Sequence, residues 1–157
     1  MEVQENLEAM KSRFATSSHY PIQENSVPKK VMVIDDDPDF RQSLKEFLQM
    51  HGWEVNDQPN GEAAIRTLKL MSDLPDIILL DYLMPLENGI SFWNALNDDS
   101  NLCFLPTIMM TAHEMNSINV IGVRAVVKKP IDTEALLTLM NTLLNEKRLN
   151  LISQPLM

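Results

Sequence analysis

The chain has 157 residues, 45% of them hydrophobic, which is enough for one domain with a real core. A net charge of −9 excludes general affinity for nucleic acid, since that takes a surplus of Lys and Arg. No apolar run reaches the roughly 18 residues of a membrane span, and the mixed charges of MEVQENLEAMKSRF exclude a signal-peptide core, so a cytoplasmic protein is expected.

Residues 1–28 read as an N-terminal extension. Val3, Leu7, Met10 and Phe14 fall along one face of a helix of a few turns. The following ATSSHYPIQENSVP, with its serines and two prolines, reads as a linker. VMVI (31–34) is a continuous apolar strand. Asp37 then caps a helix that has Pro38 at its first position, where the missing N–H costs nothing. Phe40, Leu44, Phe47 and Leu48 keep helical spacing, and Gly52 ends the helix. WEV (53–55) is a short second strand, and Asn60 caps a helix carrying Ala64, Ile65, Leu68 and Met71. DIILLD (76–81) holds four apolar residues in a row, as a strand buried on both faces does. A helix with Ile90, Trp93 and Leu96 follows, then strand PTIMMT (106–111). Cys103, the only cysteine, excludes an internal disulfide and makes a Cys-based zinc site unexpected. Within LCFLP it is expected to be a buried, inert thiol. Strand AVV (125–127) and a helix from Asp132 carrying Leu136, Leu139, Met140, Leu143 and Leu144 close the pattern.

Five strands alternating with helices predict an α/β fold, a doubly wound five-stranded parallel sheet covered on both faces. In such sheets the ligand crevice lies outside the carboxyl ends of the strands. The strand ends supply Asp35-Asp36, Asp81, Thr111 and Lys128-Lys129-Pro130. Carboxylates gathered there resist ionising beside one another unless a cation joins them. Oxygen donors without His or Cys point to Mg²⁺, or Mn²⁺ in its place. A divalent metal, an ammonium and a nucleophilic carboxylate together equip a site for phosphoryl transfer. Thr111 is placed to hydrogen-bond a phosphoryl oxygen, while His113 and Lys128 are expected at the surface.

At VMVIDDDPDFR, IILLDYLMPLENG, TIMMTA and VVKKPI the chain resembles the receiver domain of two-component response regulators, over about residues 29–147. The resemblance implies a flavodoxin-like (CheY-like) fold, with residues 148–157 left as a C-terminal tail. It implies that Asp35 and Asp36 bind the metal together with Asp81 and the backbone carbonyl of Leu83. Asp81 is then the phospho-acceptor, Thr111 the switch hydroxyl and Lys129 the contact to the phosphoryl group. Met84-Pro85 and Gly89 match the loop after the acceptor. A histidine kinase or histidine phosphotransfer protein is the implied donor, and an unidentified protein the implied target. No direct contact with nucleic acid or membrane is implied, and a homodimer is left open.

Two departures stand out. The stretch between Thr111 and Lys129 is short by about one helical turn, so the fourth of the family's five helices is expected to be shortened or missing. Val126 occupies the place where the family commonly has an aromatic switch residue. That face commonly serves output, and the extension is expected to contribute a replacement interface. Two rival readings remain at this point. One is a degenerate receiver that acts as an interaction module without phosphate. The other is a phosphatase of the haloacid dehalogenase type, with Asp35 as nucleophile and Asp37 as its second acid.

Overall fold

Five parallel strands form one sheet in the computed structural model, which describes residues 27–85, 89–113 and 122–152. In chain order the elements are β1 (Lys29–Ile34), α1 (Pro38–Met50), β2 (Trp53–Gln58), α2 (Gly61–Leu70) and β3 (Ile77–Asp81). They continue with α3 (Gly89–Asp98), β4 (Thr107–Thr111), β5 (Ala125–Lys128) and α4 (Thr133–Ile152). The strand order is β2-β1-β3-β4-β5.

Alternation along the strands sorts the core into two layers, because successive side chains leave a strand on opposite faces. Val31, Val33, Ile77, Leu79, Ile108 and Met110 meet Leu44 and Leu48 of α1 and Leu136, Met140 and Leu144 of α4. Met32, Ile34, Ile78, Leu80 and Met109 meet Ala64 and Leu68 of α2 and Phe92 and Leu96 of α3. Both faces are therefore covered, which is the doubly wound arrangement the alternating pattern predicts. Each fully buried Val, Leu, Ile or Met contributes about 1.5–3 kcal/mol. The two layers hold the ends of β1, β3 and β4 at defined positions.

The starts of α1 and α2 follow the capping residues read from the sequence, and Asp132 caps the last helix in the same way. Asp37 accepts from the amides of Asp39 (3.0 Å) and Phe40 (3.2 Å). Asn60 accepts from Ala63 at 2.8 Å, and Asp132 from Ala135 at 3.0 Å. Each satisfies an amide that a helix start leaves without a partner. Gly52 follows α1 with φ +81°, a left-handed conformation that side chains disfavour.

Three observations differ from the sequence reading or extend it. β2 continues past WEV to Gln58, since its backbone pairs with β1 through Ile34↔Gln58 whatever the polarity of Asn56, Asp57 and Gln58. Cys103 is exposed, not buried. The turns between α3 and β4 bury Leu102 and Leu105 and send Cys103 and Phe104 outward. Helix α4 runs on to Ile152. The expected shortening of a helix between β4 and β5 falls on residues 114–121, and the expected helix and linker on residues 1–26; both lie outside the described residues. Among the described residues, no helix is long and apolar enough to cross a membrane.

Gly89 opens α3 directly against the end of β3. Its amide donates to the Tyr82 carbonyl at 2.9 Å. A Cβ there would fall against the Asp81 carbonyl oxygen and 3.1 Å from the Tyr82 Cα. Those neighbours are backbone and have no side-chain freedom to yield. Gly89→Ala is thus expected to cost about 1–3 kcal/mol, read as a lower urea midpoint at unchanged m-value.

Candidate functional site

The strand order reverses between β1 and β3, and the helices that leave these two strands pack on opposite faces of the sheet. A crevice opens between their carboxyl ends, and the candidate side chains collect there. Asp35 follows β1 and is completely buried. Its Oδ1 accepts from the Asp37 amide at 2.9 Å, and its backbone carbonyl accepts from Arg41 Nη1 at 2.7 Å. Its Oδ2 accepts from Lys129 Nζ at 2.6 Å. Asp81 ends β3 with 5% of its surface exposed, and its Oδ1 lies 3.3 Å from the same Lys129 Nζ. Asp36 is exposed at the crevice mouth.

One carboxylate oxygen each from Asp35, Asp36 and Asp81 lie within 4.8 Å of one another, a group that could hold a metal ion. Its donors are all hard oxygen, and the Lys129 ammonium is shared by two of the carboxylates. Burial, then the charge of Asp35, pushes the Asp81 carboxyl up to about 6 against the opposing pull of Lys129 and a backbone hydrogen bond from Leu83. Lys129 is moved the other way from what its burial demands. Burial disfavours its ammonium, but the hydrogen bond and charge of Asp35, then Asp81, outweigh that and raise its pKa. A negative charge left short of compensation in a pocket of oxygen donors is what a divalent cation relieves, so these residues fit Mg²⁺.

Thr111 and Leu83 stand differently. Thr111 ends β4 one residue beyond Met110, the register partner of Asp81, and is buried. Its Oγ1 accepts from the amide of the exposed His113 at 3.0 Å, and its carbonyl accepts from the Lys129 amide at 2.7 Å. The Leu83 side chain is 48% exposed. Lys128 faces outward beside Lys129, and the Lys129–Pro130 peptide is cis. Val126 pairs with Met109 and packs on the α2/α3 face.

Sequence reasoning missed two contributors. Phe40, read only as a core position of α1, lies under the Lys129 ammonium at 4.3 Å, a cation–π contact that holds Nζ over the crevice. Arg41 ties the Asp35 carbonyl to Asp57 of β2 at 3.4 Å, where Lys45 also binds at 2.8 Å. Nothing in the spacing of either residue could have announced this. Both contacts form only once α1 has packed on the sheet. Asp37 is also occupied as a helix cap, so it is not free to act as the second acid of a haloacid dehalogenase site.

The raised Asp81 carboxyl makes a signed prediction. In the unfolded chain it titrates near 3.8, in the folded chain near 6. The folded state therefore holds that proton more tightly, and stability gains as pH falls from 7.5 through 6 towards 3.8. The gain by pH 5 is about 1 kcal/mol. Asp57, lowered mainly by its hydrogen bond to Lys45, acts with the opposite sign, but its contribution is lost only below 3.8. Urea unfolding in EDTA at pH 7.5 and pH 5 measures the difference, with Asp81→Asn as the control that lacks it.

A family model described as "Response regulator receiver domain" matches residues 31–141. Protein PilH of Pseudomonas aeruginosa is 29% identical over 119 residues, covering 73% of this chain and 97% of PilH. The transcriptional regulatory protein CpxR of Escherichia coli is 38% identical over 93 residues, 59% of this chain but 38% of CpxR. The response regulator MprA of Mycolicibacterium vanbaalenii is 32% identical over 122 residues, 75% of this chain and 51% of MprA. The chain thus spans nearly all of one relative and about half or less of the other two. Among solved structures, chemotaxis protein CheY4 of Vibrio cholerae superimposes with a TM-score of 0.67 at 26% identity, covering 74% of this chain and 99% of CheY4. The signal receiver domain of a signal transduction histidine kinase from Syntrophus aciditrophicus gives 0.68 at 26% identity, over 75% and 91% of the two chains.

Proposed function

Because the chain belongs to the response regulator receiver domain family of two-component signalling, we propose that it is a phospho-accepting switch, with Asp81 receiving the phosphoryl group. The donor is phosphohistidine on a histidine kinase or histidine phosphotransfer protein. The unit that does this starts at residue 29 and takes in α4, which carries it past the expected boundary at 147 to Ile152, with 1–28 as an extension. One observation carries the reading: three carboxylates lie within 4.8 Å of one another, and Lys129 reaches two of them, at 2.6 and 3.3 Å.

In the transfer, an Asp81 carboxylate oxygen attacks phosphorus while the P–N bond to the imidazole breaks. The imidazole takes up a proton as it leaves, and an acyl phosphate forms on Asp81. Asp35, Asp36, Asp81 and the Leu83 carbonyl would hold Mg²⁺ (or Mn²⁺), which when bound would neutralise charge on the transferring oxygens. Lys129 follows the negative charge from the free carboxylate to the phosphoryl oxygens while keeping its bond to Asp35. Thr111 Oγ1 accepts from His113, which leaves its own proton free to donate to a phosphoryl oxygen. The added charge, close to two units at neutral pH, draws in the Thr111 end of β4 and biases a two-state surface that a partner reads. The fully populated acidic and basic set favours this over a phosphate-independent interaction module.

Incubation with acetyl phosphate and Mg²⁺ tests the reading. The expected result is one phosphoryl group per chain by intact mass, lost on removal of Mg²⁺ with EDTA and absent in Asp81→Asn. Failure of the wild-type chain to gain mass, with Mg²⁺ binding intact, would assign the fold to the interaction module instead.

A further inference from the structure

β1 ends at Ile34, whose register partners are Gln58 of β2 and Leu80 of β3. Asp35 lies one residue beyond the strand, yet it is completely buried and brings a carboxylate to the crevice. A buried backbone carbonyl just past the end of a ladder needs a partner from elsewhere. Here the partner is Arg41 of α1, whose Nη1 donates to the Asp35 carbonyl at 2.7 Å. On its other side, the Asp35 amide donates to the Gln58 carbonyl at 3.2 Å. The guanidinium is itself held. Its Nε donates to one Asp57 oxygen at 3.4 Å, and Lys45 fixes the other Asp57 oxygen at 2.8 Å. Both holds on the Asp35 backbone therefore lead to Asp57 and Gln58, the polar end of β2.

These bonds set where the Asp35 carboxylate points. Its Oδ1 accepts from the Asp37 amide at 2.9 Å, which ties the side chain to its own local backbone, and its Oδ2 meets Lys129 at 2.6 Å. A shift of the Asp35 peptide would carry the carboxylate with it. Arg is suited to this hold, because its planar fork aims separate N–H groups at two acceptors, whereas a lysine offers one flexible point charge. The Arg41 side chain is 15% exposed and lies against Asp57, so its charge is offset where it sits. Groups that hydrogen-bond a metal ligand fix its orientation, and losing one typically costs about 10–100-fold in metal affinity.

We propose that Arg41 is a positioning residue for divalent-metal binding, holding Asp35 in place from Asp57 of β2. This role rests on the Mg²⁺ site of the proposed function. Arg41→Met keeps the apolar stem and removes one positive charge. Coulomb's law alone makes Mg²⁺ bind more tightly after that loss, whereas a lost positioning contact makes it bind more weakly. In calorimetric titration of the full-length chain, Arg41→Met is expected to bind Mg²⁺ about 10–100-fold more weakly than wild type. Arg41→Lys keeps the charge but not the fork; it too is expected to bind more weakly, and it carries the test if the Met variant does not fold. Asp57→Asn, whose carboxylate binds Arg41 and Lys45, is expected to weaken Mg²⁺ binding in the wild-type background and to add nothing to Arg41→Met. Equal or tighter binding in the Arg41 variants overturns the proposal, even where they are less stable. An Asp57→Asn effect that persists in the Arg41→Met background overturns it too. A wild-type chain that binds no Mg²⁺ overturns the metal site itself, and this role with it.

Discussion

Asp81→Asn is expected to abolish phosphoryl labelling by acetyl phosphate and Mg²⁺, while making the metal-free protein more stable. The substitution keeps size and shape but replaces a nucleophilic carboxylate oxygen with an amide that cannot form an acyl phosphate. Loss of labelling should be complete, below the detection limit of intact-mass measurement. Stability moves the other way because the native carboxylate is ionised under protest: burial and Asp35 push its pKa to about 6. At pH 7.5 the neutral amide removes that penalty, up to about 3 kcal/mol, a figure that already includes the opposing pull of Lys129. Urea denaturation in EDTA should show a higher midpoint for the variant at pH 7.5 and a smaller advantage at pH 5. A variant that still labels, or one that is destabilised at pH 7.5, would overturn the roles given to Asp81 and its surroundings.

Lys129→Met is expected to slow phosphoryl transfer about 10²–10³-fold, the usual effect of removing one charge-stabilising donor from a transition state. The same variant should bind Mg²⁺ more tightly than wild type. Lys129 Nζ now neutralises Asp35 at 2.6 Å and Asp81 at 3.3 Å, so it competes with a divalent cation for the same carboxylates. Removing it takes from two buried acids the ammonium they share, and the metal-free protein should lose about 3 kcal/mol. Saturating Mg²⁺ should recover much of that loss, since a ligand that binds only the folded state stabilises it by mass action. Single-turnover labelling, calorimetric Mg²⁺ titration and urea melts with and without metal measure the three effects. Weaker Mg²⁺ binding in the variant would show that Lys129 supports the acidic cluster rather than opposing it.

The architecture was legible because its signals are local or periodic. Four consecutive apolar residues before Asp81 mark a strand covered on both faces, and Asp37-Pro38, Asn60 and Asp132 mark helix starts by chemistry that needs only their neighbours. Parallel pairing follows from the helices between the strands, and it sends the strand-end residues to one edge. The candidate site was legible for the same reason, since Asp35, Asp36, Asp81, Thr111 and Lys129 all sit at or just past the carboxyl ends of predicted strands. The extent of β2 was not legible, because an edge strand is held by backbone bonds to which Asn56, Asp57 and Gln58 contribute no pattern. The exposure of Cys103 was missed because an apolar string such as LCFLP looks uniformly buried until a turn divides it.

What the linear order determines by itself is which groups arrive at the crevice: β-strand period and capping place the acids and the lysine at strand ends regardless of distant contacts. What only the tertiary structure decides is how those groups share their charge. Lys129 sits closer to Asp35 than to Asp81, with Phe40 beneath its ammonium and Arg41 on the Asp35 backbone, contacts made by a helix packed across the sheet. Burial, then the charge of Asp35, pushes the Asp81 carboxyl up to about 6. Ion pairing and desolvation act through space over a few ångströms, and residues 94 positions apart, such as Asp35 and Lys129, meet at that range only when the whole sheet has formed.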